Sequence, residues 1–227
     1  MPSHVSGPQS ASASPTAELV ALRQSQPKER ADAARNRATV LRAAADLFRD
    51  QGVDAVSMDA VAAAAGVGKG TLFRRFGDKA GLAAALLNDQ EQMLQEAILF
   101  GPAPLGPGKP QDQPTARVRL RAFVDAYLDY VLAHLALVRM SETASPGARY
   151  RIGAYRFWHQ HVALLLADRH DPHADAHTLL AGLAAEHLHA IVTDLGETRI
   201  RDTALALADA LTTEPGQPES GRQTADR

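Results

Sequence analysis

Residues 57–79 read SMDAVAAAAGVGKGTLFRRFGDK, and their spacing predicts two short helices joined by a glycine turn. Ser57 has the hydroxyl of a helix N-cap, and Asp59 places a negative charge in the first turn, where the helix dipole favours it. Gly66 can adopt the positive φ that ends a helix. We therefore predict one helix that begins after Ser57 and a second over Lys69–Phe76, which Gly77 can end before Asp78 caps the next helix.

The second of these helices has an apolar side and a polar side. Leu72 and Phe76 are four residues apart, so we expect both to face a core. The remaining faces carry Lys69, Thr71, Arg74 and Arg75. A helix with exposed basic residues fits the major groove of duplex DNA, while the helix before it serves as a brace. The alternative is an ordinary helical hairpin with solvated basic residues.

The same stretch resembles the DNA-binding domain of the tetracycline-repressor (TetR) family of bacterial transcriptional regulators. The family pattern runs roughly Thr-x-x-x-Ile-Ala-x-x-Ala-Gly-Val-Ser-x-Gly-Thr-Leu-Tyr-x-Tyr/His-Phe, with a lysine soon after. The resemblance covers about residues 30–87. The matching residues are Ser57, Val61, Ala62, Ala65, Gly66, Val67, Gly70, Thr71, Leu72, Phe76 and Lys79.

Three positions depart from that pattern. Gly68 replaces the usual serine, so the second helix lacks a hydroxyl cap. Phe73 replaces a tyrosine and has no hydroxyl for a phosphate, whereas Arg75 replaces an aromatic residue or histidine and could supply a charged phosphate contact. The resemblance implies a phosphate contact by Lys79. It implies a DNA-binding surface made of Arg35, Ser57, Met58, Gly68, Lys69, Gly70, Thr71, Phe73, Arg74, Arg75 and Lys79.

The whole chain predicts an all-α protein, because no strand pattern occurs. Apolar residues recur at helical spacing over residues 32–51, 78–100, 115–143, 148–168, 174–195 and 200–212, with a break near 134–136. We predict a disordered N-terminal arm at 1–29 and a disordered tail at 214–227. Between them we predict a three-helix helix-turn-helix domain at 30–77, joined by a long helix to a helical ligand-binding and dimerisation domain at 78–213.

Composition narrows the classes of function. The 227 residues include no cysteine, which excludes disulfides and a cysteine-based zinc site. Residues 1–80 carry eleven Lys or Arg and eight Asp or Glu, so a mildly basic head precedes an acidic body. No apolar run approaches the roughly 18 residues of a membrane span, and no secretory signal is apparent. We therefore predict a cytoplasmic protein without a membrane partner.

The resemblance also implies an effector pocket in the body. Aromatic residues concentrate in two neighbouring predicted helices, and apolar pockets with a few polar groups suit small aromatic or amphiphilic ligands. The same aromatic residues could instead form core. The predicted ligand-binding residues are Met93, Phe123, Tyr127, Tyr130, Tyr155, Trp158, His159 and Glu186, and Arg139 could add polarity. We predict no cofactor and no bound metal.

A homodimer through the last two helices is a further implication of the resemblance. Its interface, or equally the intramolecular core, could use Leu179, Leu180, Leu183, Leu188, Ile191, Leu205, Leu207 and Leu211. Two recognition helices about one DNA turn apart would fit a near-palindromic operator. We therefore predict a repressor, not an enzyme, that a small-molecule effector releases from its operator.

Three other functions remain open from the sequence. Seven histidines fall within residues 159–189, and His173 and His177, with Asp171 or Asp175, could bind the metal of a metal-responsive regulator. An all-helical enzyme is a weaker alternative, because the chain has neither a His-Glu-x-x-His motif nor a glycine-rich phosphate loop. A protein–protein adaptor that keeps the helix-turn-helix as a scaffold is the third.

Overall fold

A computed structural model describes residues 31–109, 111 and 114–213, and it describes no side chains for residues 31–33. The predicted arm and tail, at 1–29 and 214–227, lie outside the described residues. Those residues form helices and no strand, which confirms the predicted all-α class, and none of the helices is long and apolar enough to cross a membrane. The helices are α1 (Ala31–Gln51), α2 (Met58–Ala64), α3 (Lys69–Phe76), α4 (Lys79–Phe100), α5 (Ala116–Ala133), α6 (Leu135–Glu142), α7 (Ala148–Arg151), α8 (Gly153–Leu165), α9 (Pro172–Gly182) and α10 (Ala185–Thr212).

Helices α1, α2 and α3 pack around a small core of their own, and we call this unit the head. Val40 and Phe48 of α1 meet Val61 of α2 and Leu72 of α3, and all four side chains are buried. Helices of seven or eight residues are not stable alone in water, so this burial holds α2 and α3 in place.

Local sequence signals set the helix ends in the head. The Ser57 hydroxyl accepts a hydrogen bond from the Ala60 N–H at 3.1 Å, and the Asp78 carboxylate accepts one from the Gly81 N–H at 2.8 Å. Gly77 has a φ of 77°, a region that costs other residues about 1–2 kcal/mol, and it separates α3 from α4. The predicted caps at Ser57 and Asp78 and the stop at Gly77 are therefore confirmed.

Helix α4 belongs to two cores. Leu82, near its start, is buried in the head, whereas Leu87, Ile98 and Leu99 are buried in the large core that α5–α10 form. We call this second unit the body. The 22 residues of α4 span about 33 Å at the rise of an α-helix. One continuous helix thus connects the head with the interior of the body.

The predicted helix over residues 148–168 is wrong in one respect. Ile152 has an extended backbone, with φ −68° and ψ 132°, and splits the segment into α7 and α8. The predicted break near residues 134–136 is confirmed, because His134 lies between α5 and α6. The pattern of apolar residues continues across Ile152, so the periodicity could not show the interruption.

The last part of the chain divides at a different place from the one predicted. The expected helix over 174–195 is interrupted at residues 183–184, and α10 then continues to Thr212 with a kink at Gly196. The Glu142 carboxylate accepts a hydrogen bond from the Ala185 N–H at 2.9 Å and so caps the start of α10. Because Glu142 is far from Ala185 in the sequence, the residues next to Ala185 do not indicate this cap.

Four of the leucines proposed for a dimer interface lie inside the body. Leu179, Leu180, Leu183 and Leu188 are at most 2% exposed in the single chain, so they form intramolecular core and cannot meet a second copy. Leu207, in contrast, is 41% exposed on α10. Ile191, Leu205 and Leu211 are partly buried against the same core.

His161 is a buried histidine in the body core, and it predicts a dependence of stability on pH. Burial, and to a smaller extent the charge of Arg119, lower its pKa to about 3. The unfolded chain binds this proton at a pKa of about 6.5, so the contribution is complete above that pH and is lost as the pH falls towards 3. At pH 5 the loss is about 2 kcal/mol.

We expect His161→Leu to remove that loss, while His187→Leu, at an exposed histidine of α10, keeps it. The free energy of unfolding, measured by urea denaturation at pH 8 and pH 5, should differ between the two pH values by about 2 kcal/mol less in His161→Leu. An unchanged difference would show that folding does not lower the pKa of His161.

Candidate functional site

Helix α3 presents a polar, exposed side to solvent. Leu72 is buried in the head core and Phe76 is partly buried against it, as the spacing predicted. Gly68 precedes α3 without a side-chain cap, so the first N–H groups of the helix are open to an anion. The exposed residues are Gly68, Lys69, Gly70, Thr71, Phe73 and Arg74, and Arg75 is partly exposed.

Lys69 and Arg37 are among the basic residues of the head that make contacts within the chain. The Lys69 ammonium forms an ion pair with the Asp59 carboxylate across the turn between α2 and α3. Both side chains are more than half exposed, so the pair is weak and a phosphate could replace Asp59. The Arg37 guanidinium lies 5.9 Å from the centre of the Phe76 ring and ties α1 to the end of α3.

The structure does not support the phosphate contact expected of Lys79. Its Nζ donates to the backbone carbonyls of Val53, Asp54 and Val56 at 2.9, 3.0 and 3.0 Å. An ammonium group has three N–H donors, so none is left for DNA in this arrangement. Lys79 instead holds the loop between α1 and α2 against the start of α4.

Three further residues of the predicted DNA surface lie on α1 and at the start of α2. The Ser57 oxygen accepts the cap hydrogen bond, which leaves its O–H as a donor for a phosphate. The Met58 side chain is buried in the head core, so its backbone N–H is the group that remains for a DNA contact. Arg35 is exposed near the start of α1.

A second candidate site is a small cavity in the body, which we call the body cavity. Its volume is about 20 Å³, enough for one water molecule. Four of the eight predicted ligand-binding residues line it: Tyr127, Tyr130, Tyr155 and Trp158. A ligand would have to widen this space.

The other four predicted ligand-binding residues lie elsewhere. Met93 is 63% exposed on the outer side of α4, because Glu91 two positions earlier faces inward and two residues rotate a helix by about 200°. Phe123 is buried in the core outside the cavity lining, and Glu186 forms an exposed ion pair. His159 belongs to a group of histidines near the body surface.

That group gives the metal-site alternative no support. The His159 ring stacks on His177 and His173, with centroids 4.0 and 5.3 Å apart. Asp171 caps α9, and Asp175 is paired with an arginine. Within the described part of the chain, no group of three or more His, Cys, Asp or Glu residues is arranged to hold a metal ion.

A buried ion pair beside the cavity was not predicted from the sequence. Glu142 and Arg149 pair with side chains that are 9% and 8% exposed. Arg149 also donates to the Leu180 carbonyl at 2.8 Å, and Glu142 caps α10. These two residues connect α6, α7, α9 and α10. Nothing in the local sequence distinguishes them from the many exposed Glu and Arg residues.

Glu91 is the second acidic residue of the cavity. The Tyr130 hydroxyl donates a hydrogen bond to its carboxylate at 2.9 Å, which joins α4 to α5. Burial raises the pKa of Glu91, and the hydrogen bond from Tyr130 lowers it by less. The helical register of α4 could have identified Glu91, because it lies one turn after the buried Leu87.

The sequence model described as "Bacterial regulatory proteins, tetR family" matches residues 40–86. The match covers most of α1, all of α2 and α3, and the start of α4. Residues 40–86 form a TetR-family DNA-binding domain. The resemblance found in residues 57–79 is thereby confirmed, and the chain is a DNA-binding transcriptional regulator with a TetR-family helix-turn-helix.

Solved structures of TetR-family proteins share the fold along most of the chain. A TetR-family regulator from Pectobacterium atrosepticum is 25% identical, with a TM-score of 0.53 over 82% of this chain and 96% of that chain. A TetR-like regulator from Rhodococcus sp. RHA1 is 24% identical, with a TM-score of 0.51 over 81% and 96%. The TetR-family repressor FadR of Thermus thermophilus is 18% identical, with a TM-score of 0.57 over 82% and 99%. None of the curated proteins compared with the chain matches it.

The head departs from the TetR-family pattern on the exposed side of α3. Phe73 is 45% exposed where the pattern has tyrosine, so an apolar ring points to solvent. Such a ring can contact a thymine methyl group or a sugar but cannot donate to a phosphate. The departure removes a hydroxyl donor from the exposed side of α3 and leaves an apolar ring there.

Proposed function

We propose that the chain is a ligand-responsive repressor, which binds a near-palindromic operator as a homodimer and leaves it when a small-molecule effector enters the body cavity. The observation that carries this proposal is the position of α4. Leu82 packs in the head core, whereas Leu87 and Glu91 line the cavity. A displacement of α4 at the cavity therefore moves the element on which the head rests.

In the proposed complex, α3 enters the major groove. Its exposed residues Thr71 and Phe73 face base edges, and Lys69 and Arg75 reach phosphates. Arg35, Arg74, the Ser57 hydroxyl and the backbone at Met58, Gly68 and Gly70 complete the proposed surface. Lys79 supports this surface from behind.

The outer sides of α9 and α10 are the proposed homodimer contact. Ala174, Thr178 and Ala181 are small, exposed residues of α9, and Leu207 is an exposed apolar residue of α10. Small side chains allow a second pair of helices to approach closely. Two copies related by a two-fold axis would present two α3 helices about 34–36 Å apart, the length of one DNA turn.

Helix α6 offers a second route between the cavity and the head. Val138 and Ser141 line the cavity, and Leu137 packs against both cores. Arg139 donates to the Asp54 carboxylate of the head at 3.3 Å, but Asp54 is 80% exposed, so this bond is weak. An open cleft of about 370 Å³ between the head and α6 leaves room for the head to tilt. An effector needs to favour the tilted state by only about 1–3 kcal/mol.

The structure of Thermus thermophilus FadR contains lauroyl-CoA. A protein of this fold can therefore hold an organic ligand, which supports an effector role for the body. The residues that line the body cavity of the present chain determine which class of ligand it can bind.

The proposed phosphate contact of Arg75 predicts a uniform change in DNA affinity. Arg75→Ala should weaken binding to every duplex by a similar factor, about threefold to tenfold, and should lower the slope of log affinity against log salt by about 1. Arg156→Ala, on the exposed side of α8, removes the same charge far from the head and should change neither quantity. An unchanged slope in Arg75→Ala would place Arg75 away from the phosphates.

Selection from a random pool of duplexes tests the proposed function itself. The full chain, shown to be dimeric in solution, is mixed with the pool at moderate salt, and the bound duplexes are sequenced. Enrichment of two half-sites one DNA turn apart supports a dimeric repressor. Absence of any enriched sequence, both alone and with added cell extract, would contradict operator recognition.

A further inference from the structure

The body cavity contains one acidic group, Glu91, that no Lys, Arg or His of the described residues pairs with. Its lining includes two carboxylates, Glu91 and Glu142. Glu142 is paired with Arg149 and also accepts the Ala185 N–H. The partner of Glu91 within the described residues is the neutral hydroxyl of Tyr130. A cavity between apolar walls thus contains one carboxylate whose natural partner would be positively charged.

The aromatic walls favour the same kind of partner. The Tyr127 ring lies 6.1 Å from Tyr130 and 6.0 Å from Trp158, centre to centre, and all three rings line the cavity. The faces of tyrosine and tryptophan rings attract cations through their quadrupoles. Tyr155 adds a fourth ring to the lining. Carboxylate and rings together surround a space suited to an aromatic or lipophilic cation.

We propose that the effector is a small organic cation with an apolar body, bound with its positive charge between the Glu91 carboxylate and the tyrosine and tryptophan rings of the body cavity. The inference rests on the proposed effector role of this cavity. It names the chemistry that the cavity recognises. Neutral ligands of the same shape lack the ionic contact, and anions meet an uncompensated carboxylate.

The position of Glu91 also explains how such a ligand would act on the head. Without ligand, the hydrogen bond from Tyr130 to Glu91 closes the space between α5 and α4. The cavity holds about 20 Å³, so a cation larger than a few atoms enters only if it displaces the Tyr130 hydroxyl and moves α4 away from α5. The movement occurs on the helix whose first turns pack in the head core. Binding of the cation at Glu91 and displacement of the head therefore occur together.

The test uses three probes of similar size and different charge: phenyltrimethylammonium, its uncharged isostere tert-butylbenzene, and benzoate. Trp158 is the only tryptophan of the chain and lines the cavity, so its fluorescence reports binding directly. We expect the full-length chain to bind the cation at least about tenfold more tightly than the isostere, and benzoate weakest. Bound cation should also lower affinity for the selected operator.

The matched variants are Glu91→Gln and Asp89→Asn. Glutamine keeps the shape of Glu91 and can still accept the Tyr130 hydrogen bond, so the fold should survive, which thermal unfolding checks. Glu91→Gln should abolish the preference for the cation and leave binding of the isostere unchanged. Asp89, an exposed carboxylate on the same helix, serves as the control, and Asp89→Asn should retain the full preference.

The outcomes separate this inference from the proposed function. If Glu91→Gln keeps the preference, or if tert-butylbenzene or benzoate binds as tightly as the cation, the cation proposal is wrong. The effector role of the cavity survives that result when the bound probe still releases the operator. If no probe changes Trp158 fluorescence while the operator binds normally, the cavity is not the effector site and both statements fail.

Discussion

Arg149→Met is expected to destabilise the chain by about 3–5 kcal/mol, because it breaks a buried ion pair by removing one partner. The guanidinium is 8% exposed and compensates the equally buried Glu142. Methionine fills much of the same volume but leaves that carboxylate without its counter-charge, and it also removes the charged donor to the Leu180 carbonyl, which keeps only the Leu183 N–H. The measurement is the free energy of unfolding by urea at pH 7.5.

The double variant Arg149→Met/Glu142→Met provides the decisive comparison. The double variant replaces the ion pair with two apolar side chains, so no buried charge is left without a partner and much of the lost stability should return. The part that should not return is the contribution of the Glu142 cap at the start of α10. Arg49→Met, which breaks only exposed ion pairs with Asp46 and Asp50, should change stability far less. Equal stability of Arg149→Met and the unchanged chain would show that the ion pair is dispensable.

The head could be predicted closely because its signals are local. The Ser57 cap, the stop at Gly77 and the four-residue spacing of Leu72 and Phe76 each act within a few residues, and each is found where the sequence placed it. The short helices follow from these signals together with one shared core. These local signals were therefore sufficient to predict the fold of the head and the family that it resembles.

The body cavity could be predicted only in part, because docking between helices decides which side chains meet. Aromatic content identified Tyr127, Tyr130, Tyr155 and Trp158, but the acidic residue predicted with them, Glu186, does not line the cavity. Met93 was predicted to line the cavity and Glu91 was not, but Met93 lies on the opposite, exposed side of α4. The pairing of Glu142 with Arg149 depends on how α6 and α7 pack against each other, and the sequence of neither helix alone predicts that packing.

The role of Lys79 could not be predicted from the sequence for a different reason: a lysine at this position suits two roles. A lysine at the start of a helix beside DNA can contact a phosphate or can satisfy backbone carbonyls, and the sequence is the same for both. The structure directs its ammonium to three carbonyls, those of Val53, Asp54 and Val56. The two roles predict different results on substitution.

Lys79→Met is expected to destabilise the head by about 1.5–3 kcal/mol, because three backbone carbonyls lose a charged donor. The loop between α1 and α2 should loosen, and α2 with it, so affinity for DNA should fall. The slope of log affinity against log salt should stay the same, since no phosphate contact is removed. The measurements are thermal unfolding and operator binding at several salt concentrations.

Lys79→Arg decides between the two roles. Arginine keeps the positive charge and binds phosphate at least as well as lysine does, so a phosphate role predicts normal affinity and normal stability. A planar guanidinium directs its N–H groups in one plane and cannot aim at three carbonyls placed around a single ammonium. The structure therefore predicts that Lys79→Arg loses stability despite its charge. Normal stability in Lys79→Arg, together with a salt slope lowered by about 1 in Lys79→Met, would assign Lys79 to a phosphate after all.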